Sequence, residues 1–96
     1  MAKIRWTYEA ELWLKEIYEY IALDNPQAAM EVVDGIYTTA QMLKDHPELG
    51  YRYQAPGLEN VRILLHGHYR IAYLLLENRI DILGVFHGAL DIDKYL

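Results

Sequence analysis

Between Val61 and Gly88 the stretch VRILLHGHYRIAYLLLENRIDILGVFHG holds three short apolar runs separated by two turn signals. This pattern predicts an antiparallel three-stranded meander. In the first run Val61, Ile63 and Leu65 alternate with Arg62 and Leu64, the period-2 pattern of a strand. His66-Gly67-His68 then offers a tight connection in which Gly67 takes positive φ without steric cost. The second run puts Tyr69, Ile71, Tyr73 and Leu75 on one face and Arg70, Ala72, Leu74 and Leu76 on the other. Both faces are apolar, which predicts the central strand. Glu77-Asn78 makes the next turn, with Asn tolerating the left-handed region, and Arg79 to Phe86 returns as the third strand. Gly84 inside it signals a bulge or a close backbone approach.

The chain before the meander reads as helical. Ile4, Arg5 and Trp6 form a brief β-prone opening, short enough to be an edge strand. Thr7 is placed to cap a helix whose first turn carries Glu9 and Glu11. Leu14, Ile17 and Ile21 give that helix an apolar stripe, flanked by Trp13 and Tyr20. Asp24-Asn25-Pro26 ends it and starts another, because Asn is a good cap and Pro is welcome at the first helical position. Ala29, Val32, Val33, Ile36, Ala40 and Leu43 carry the second stripe to about Asp45, where His46-Pro47 stops it. So short a joint predicts an antiparallel αα-hairpin. Residues 47–60 have no periodicity and read as a loop anchored by Tyr51 and Tyr53, and His87 to Leu90, through Ala89, turns the chain after the last strand. Asp91 to Leu96 reads as one helical turn. The expected fold is α+β, one domain over residues 1–96. An N-terminal edge strand and a helical hairpin pack on a small antiparallel sheet in the order βααβββ, with a short C-terminal helical turn.

Composition narrows the functions. Cysteine is absent, which removes disulfides, a thiol nucleophile and a cysteine zinc site together. A formal charge of −5 argues against non-specific nucleic-acid binding. The charge is uneven: residues 1–50 carry four Lys/Arg against nine Asp/Glu, and residues 51–80 carry four against two. With no basic-then-apolar leader and no apolar run near the ~20 residues that span a bilayer, the expectation is a cytoplasmic protein without a membrane partner. No cofactor and no metal is expected. His66 and His68, two apart, have the spacing of a metal pair but no third ligand nearby.

Four short pieces, YIALDNPQAA, LKDHPELG, GHYRIAYLL and ILGVFHGALDI, occur in an order that resembles the RelE/ParE superfamily of bacterial toxin–antitoxin, or plasmid-stabilisation, toxins, over nearly the whole chain. The resemblance implies a cytoplasmic toxin that arrests growth and is neutralised by a cognate antitoxin wrapping it. RelE-like members are ribosome-dependent ribonucleases acting on messenger RNA, whereas ParE-like members poison DNA gyrase.

Metal-free RNA cleavage needs a base for the 2′-hydroxyl, cations for the phosphate and an acid for the leaving oxygen. The resemblance assigns these to a basic pair on the strand before the central one, an arginine on the central strand, another after the last strand, and a terminal tyrosine. Arg62 matches the first of the pair, but the second position falls on Leu64. Arg70 matches the central strand, no cation stands near Gly88 to Leu90, and Tyr95 matches the terminal tyrosine. His87, at the end of the last strand, is a substitute candidate. If the chain is a nuclease, its catalytic candidates are therefore Arg62, Arg70, His87 and Tyr95. Against these stand simpler roles, with the arginines paired to Glu59, Glu77 or Asp81 and His87 a turn histidine.

With two cations missing, the ParE-like reading is favoured: binding of a protein target, DNA gyrase. The candidates for contact with the antitoxin or the target are Tyr18, Tyr20, Arg62, Tyr69, Arg70 and Tyr73, and the four tyrosines among them are candidates to line a groove for the antitoxin. Nine tyrosines against one phenylalanine suit an interface, since tyrosine brings an apolar body and a polar tip. A ribonuclease acting on ribosome-bound messages is the alternative. A non-toxic antitoxin-binding or plasmid-maintenance module is a second. A homodimer and a toxin–antitoxin hetero-oligomer both remain open.

Overall fold

The computed structural model describes residues 2–88 and 90–96, so the part of the expected turn that falls on Ala89 lies outside the described residues. Strand β1 (Lys3–Trp6) leads into helix α1 (Tyr8–Ala22) and helix α2 (Pro26–Gln41), which ends in a 3₁₀ turn, Met42–Lys44. Strands β2 (Tyr51–Arg52), β3 (Val61–His66), β4 (Tyr69–Leu75) and β5 (Arg79–His87) follow, then a second 3₁₀ turn, Ile92–Lys94.

The helix boundaries follow from local chemistry. Thr7 Oγ1 accepts from the Ala10 N–H at 3.1 Å and donates to the Ile82 carbonyl at 2.7 Å, so one hydroxyl caps α1 and ties it to the sheet. Asn25 Oδ1 accepts from the Ala28 N–H at 3.1 Å, and Pro26 stands at the start of α2. The meander forms as expected, with β4 at the centre of a five-stranded sheet of order β1-β5-β4-β3-β2. Gly67 has φ +56° in the connection between β3 and β4.

Three expectations are corrected. The sheet is mixed, because β1 joins β5 in parallel. The presumed loop contains a further strand, β2, pairing Tyr51 with Ile63 and Arg52 with Arg62. The left-handed asparagine is Asn60 (φ 65°), at the entry to β3, and Asn78 makes its turn without positive φ. The bulge signal at Gly84 holds, and what packs close on its backbone is the Phe86 ring rather than a neighbouring strand. The β4–β5 register shifts at Ala72/Tyr73, and a Cβ on Gly84 would lie 2.4 Å from the Phe86 ring.

Register assigns the faces. Leu64, Ile71, Tyr73, Ile80, Ile82 and Val85 point to the helical hairpin and meet Ala10, Ile36, Ala40 and Leu43. Ile63, Ala72 and Phe86 point the other way and are covered by the C-terminal segment through Ile92, with Leu90 and Leu96 beside it. Both sheet faces are therefore buried, which explains why the central run is apolar on both.

Gly35, in the middle of α2, marks a contact between helix and sheet. A Cβ there would stand 2.9 Å from His66 Nε2, while His66 Nδ1 lies 2.8 Å from Thr39 Oγ1. Gly→Ala inside a helix ordinarily stabilises by about 1 kcal/mol. Here Gly35→Ala is expected to yield no gain, and the same change on a His66→Ala background to recover it, as read by urea denaturation of the four variants. Equal gains on both backgrounds would show that the imidazole does not constrain this position.

Asp81 is the one buried charged side chain among the described residues. Arg5 grips both of its oxygens at 3.1 and 3.0 Å, and Arg79 Nε lies 2.9 Å away. The hydrogen bonds from Arg5, with the charges of Arg5 and Arg79, hold its carboxyl below the ordinary value against the opposing effect of burial. A carboxyl with a lowered folded value contributes stability above its unfolded value, about pH 4, and loses it as pH falls through the folded value. Asp81→Asn is thus expected to cost about 1–2 kcal/mol at neutral pH. The gap from the parent protein should close below about pH 4 in denaturation curves run across pH. A gap constant with pH would assign the loss to packing alone.

Candidate functional site

The spacing of Trp13, Ile17, Tyr20 and Ile21 lays one side of α1 along the end of the sheet. The pairing Tyr69↔His87 and Ile71↔Val85 turns Tyr69, Val85 and His87 toward it. Between them runs a largely apolar groove of about 620 Å³, lined also by Leu90, with Glu16, His87 and the phenols of Tyr20 and Tyr69 as its polar groups. The Tyr69 and His87 rings meet edge to face at 5.5 Å. Burial pushes the Tyr69 phenol above its ordinary value, and the neighbouring Tyr20 phenol adds to the rise. Tyr69 is therefore a hydrogen-bond donor at neutral pH rather than a base. Tyr20 at the rim is 79% exposed.

Beside this groove a smaller cleft holds His68, Arg70 and His87, with the two imidazoles stacked at 6.3 Å. The Gly88 N–H donates to the His68 carbonyl at 2.7 Å and fixes the two turns together. Among the described residues no three His, Asp or Glu side chains stand close enough to hold a metal ion.

The sequence candidates divide. Tyr20, Tyr69 and His87 come together in the groove, and Tyr95 adjoins it through Trp13, whose ring it meets at 5.0 Å. Tyr18 lies on α1 outside the groove lining. Tyr73 is fully buried, and its hydroxyl accepts from the Gly50 N–H at 2.9 Å and donates to the Pro47 carbonyl at 2.7 Å. It anchors the segment before β2 and does not line a surface.

Arg62 and Arg70 lie on opposite faces. Arg62 pairs with Tyr73 and shares the helix side, whereas Arg70 pairs with Leu65 and Phe86 on the other. Each is held by backbone rather than by the acids weighed above. Arg62 Nη1 donates to the carbonyls of Glu48 (3.2 Å) and Gly50 (2.7 Å), and Arg70 Nη2 donates to that of Leu90 at 2.5 Å. The groove residues that sequence reasoning did not place at a site are Trp13, Ile17 and Ile21, read as the packing stripe of α1, and Glu16, Val85 and Leu90. Glu16 carried a usable signal, since it stands three residues after Trp13 and four before Tyr20, on the side of α1 that the stripe leaves half covered.

Comparison with known proteins places this architecture. A protein of Sinorhizobium fredii named as a candidate toxin, Y4kP, is 36% identical over 89 residues, which cover 90% of this chain and 88% of that one. Two solved structures share the fold at lower identity. The chromosomal ParDE toxin–antitoxin system of P. aeruginosa matches with a TM-score of 0.75 and 23% identity, over 91% of this chain and 96% of that one. The RelBE2 toxin–antitoxin complex of Mycobacterium tuberculosis matches with a TM-score of 0.63 and 21% identity, over 90% and 96%. The sequence profile of the ParE toxin of the type II toxin–antitoxin system parDE matches residues 4–92, and the chain belongs to that toxin family.

Proposed function

We propose that this toxin acts in the cytoplasm by binding a protein, DNA gyrase, and that a cognate antitoxin neutralises it. The observation that carries the reading is the use made of the arginines. Catalysis on a phosphodiester needs cations converging on one phosphate. Arg62 and Arg70 instead stand on opposite sheet faces, each bound to main-chain carbonyls. What the surface offers is an apolar groove with an exposed aromatic rim, the material of a protein interface. On this reading the protein is an inhibitor rather than an enzyme.

Expression from an inducible promoter without antitoxin, with chromosomal DNA and messenger RNA examined in the same cells, tests it. Growth arrest with broken DNA and intact messages is expected, together with loss of supercoiling by purified gyrase. Cleaved messages with intact DNA would overturn the proposal in favour of a ribosome-dependent ribonuclease. Normal growth would point to a non-toxic antitoxin-binding module.

A further inference from the structure

We infer that the end of the sheet face carrying Lys3, Arg5 and Arg79 is a docking surface for an acidic segment of a partner protein, one that presents aspartate or glutamate at alternate positions of an extended chain. The inference stands whether or not gyrase is the target, and the surface lies on the opposite side of the sheet from the groove.

Register makes the cluster. Ile4, Trp6, Ile80 and Ile82 pack with the helical hairpin, so the residues alternating with them, Lys3 and Arg5 on β1 and Arg79 and Asp81 on β5, point to the other face. Parallel pairing sets Lys3 beside Arg79 and Arg5 beside Asp81. Lys3, Arg5 and Arg79 are all exposed, and the ion pairs among the described residues are those that Arg5 and Arg79 make to Asp81. One carboxylate therefore serves three cations. The fold does not ask for this. Arg5 alone reaches both oxygens of Asp81, and Lys3 beside Arg79 sets like charges on register partners, which weakens a strand pair. Cations on an edge strand discourage pairing with another sheet, but Arg79 stands on β5, inside the sheet.

The arrangement suits an incoming carboxylate. Gripping Asp81 orders both arginines, while 59% of the Arg5 side chain and 48% of that of Arg79 stay exposed. Their remaining N–H groups are ordered donors open to water. A partner's carboxylates gain charge-assisted hydrogen bonds there without the entropy cost of fixing a free side chain. Positions two apart on a strand are separated by about 6.6 Å and neighbouring strands by about 4.8 Å. Lys3, Arg5 and Arg79 thus form a grid that an extended chain with alternate acids matches. A nucleic acid fits less well, because a long polyanion runs past the patch onto a chain of net charge −5, whereas a short acidic segment meets only the cations.

Titration of the full chain with an alternating Glu–Ser peptide of about ten residues, whose carboxylates lie on one side when extended, followed by amide NMR shifts, tests the inference. The shifts are expected to gather on β1 and the start of β5 and to fade with added salt. Lys3→Glu is expected to bind the peptide about tenfold more weakly. Lys3 is exposed and makes no ion pair among the described residues, so this change leaves the fold intact. Shifts centred elsewhere, no shifts, or equal binding by Lys3→Glu would overturn the inference. Tighter binding of a thymidylate oligomer of equal charge would overturn it in favour of a nucleic-acid surface.

Discussion

Phe86→Ala is expected to cost about 3–5 kcal/mol, the range for removing a buried aromatic ring. Against the roughly 5–15 kcal/mol that holds a domain of this size together, that leaves little margin. Phe86 is 1% exposed and lies on the sheet face away from the helical hairpin. Trp13 meets its ring edge-on at 4.7 Å and Tyr95 stacks on it at 5.8 Å, so one side chain joins α1, β5 and the C-terminal segment. Gly84 leaves the space its ring occupies. Loss of the ring should therefore release the C-terminal turn before the rest of the fold. Amide exchange at Tyr95 and Leu96, whose N–H groups donate to the Ile92 carbonyl, should quicken more than exchange in β4. A loss below about 1 kcal/mol, or uniform exchange, would show that the second face is not a core.

How far the fold was legible in the sequence follows from how local its causes are. Thr7, Asn25-Pro26 and the Gly67 turn act within a few residues of themselves, and each element they delimit appears where the spacing put it. Strand β2 was not legible. It is two residues long, too short for alternation, and it exists because β3 offers an edge and because Arg62 and Tyr73 hold the chain before it. The relation of Arg62 to Arg70 lay within reach. If the turn holds only Gly67 and His68, His66 pairs with Tyr69, Arg70 with Leu65 and Arg62 with Tyr73. Arg70's partner then stands three residues from Arg62, and an odd separation along a strand means opposite faces. The groove was half legible: its α1 side is written in helical spacing, but its sheet side depends on the β4–β5 register, and the bulge that Gly84 signals does not by itself fix the pairing on either side of it.

The second large effect is expected at Gly50, where a Cβ would lie 2.7 Å from the Ile63 carbonyl oxygen and 2.8 Å from the Tyr73 ring. The first of these is backbone and cannot swing aside, so Gly50→Ala should cost about 3 kcal/mol, at the upper end for overpacking. Tyr73→Phe should cost about 1–3 kcal/mol by leaving the buried Gly50 N–H and the Pro47 carbonyl short of a partner. The two changes strike one node, so their costs should fall short of additivity, and a double-mutant cycle by urea denaturation should show coupling above about 0.5 kcal/mol. Additive costs would mean that Tyr73 and Gly50 act independently. The same node governs how Arg62 is to be read. Its guanidinium grips the Glu48 and Gly50 carbonyls, so Arg62→Ala should loosen the segment before β2 as Tyr73→Phe does. If Arg62 has only this structural role, Arg62→Ala and Tyr73→Phe matched for stability should lose toxicity equally. An excess loss in Arg62→Ala would place that arginine in contact with the target.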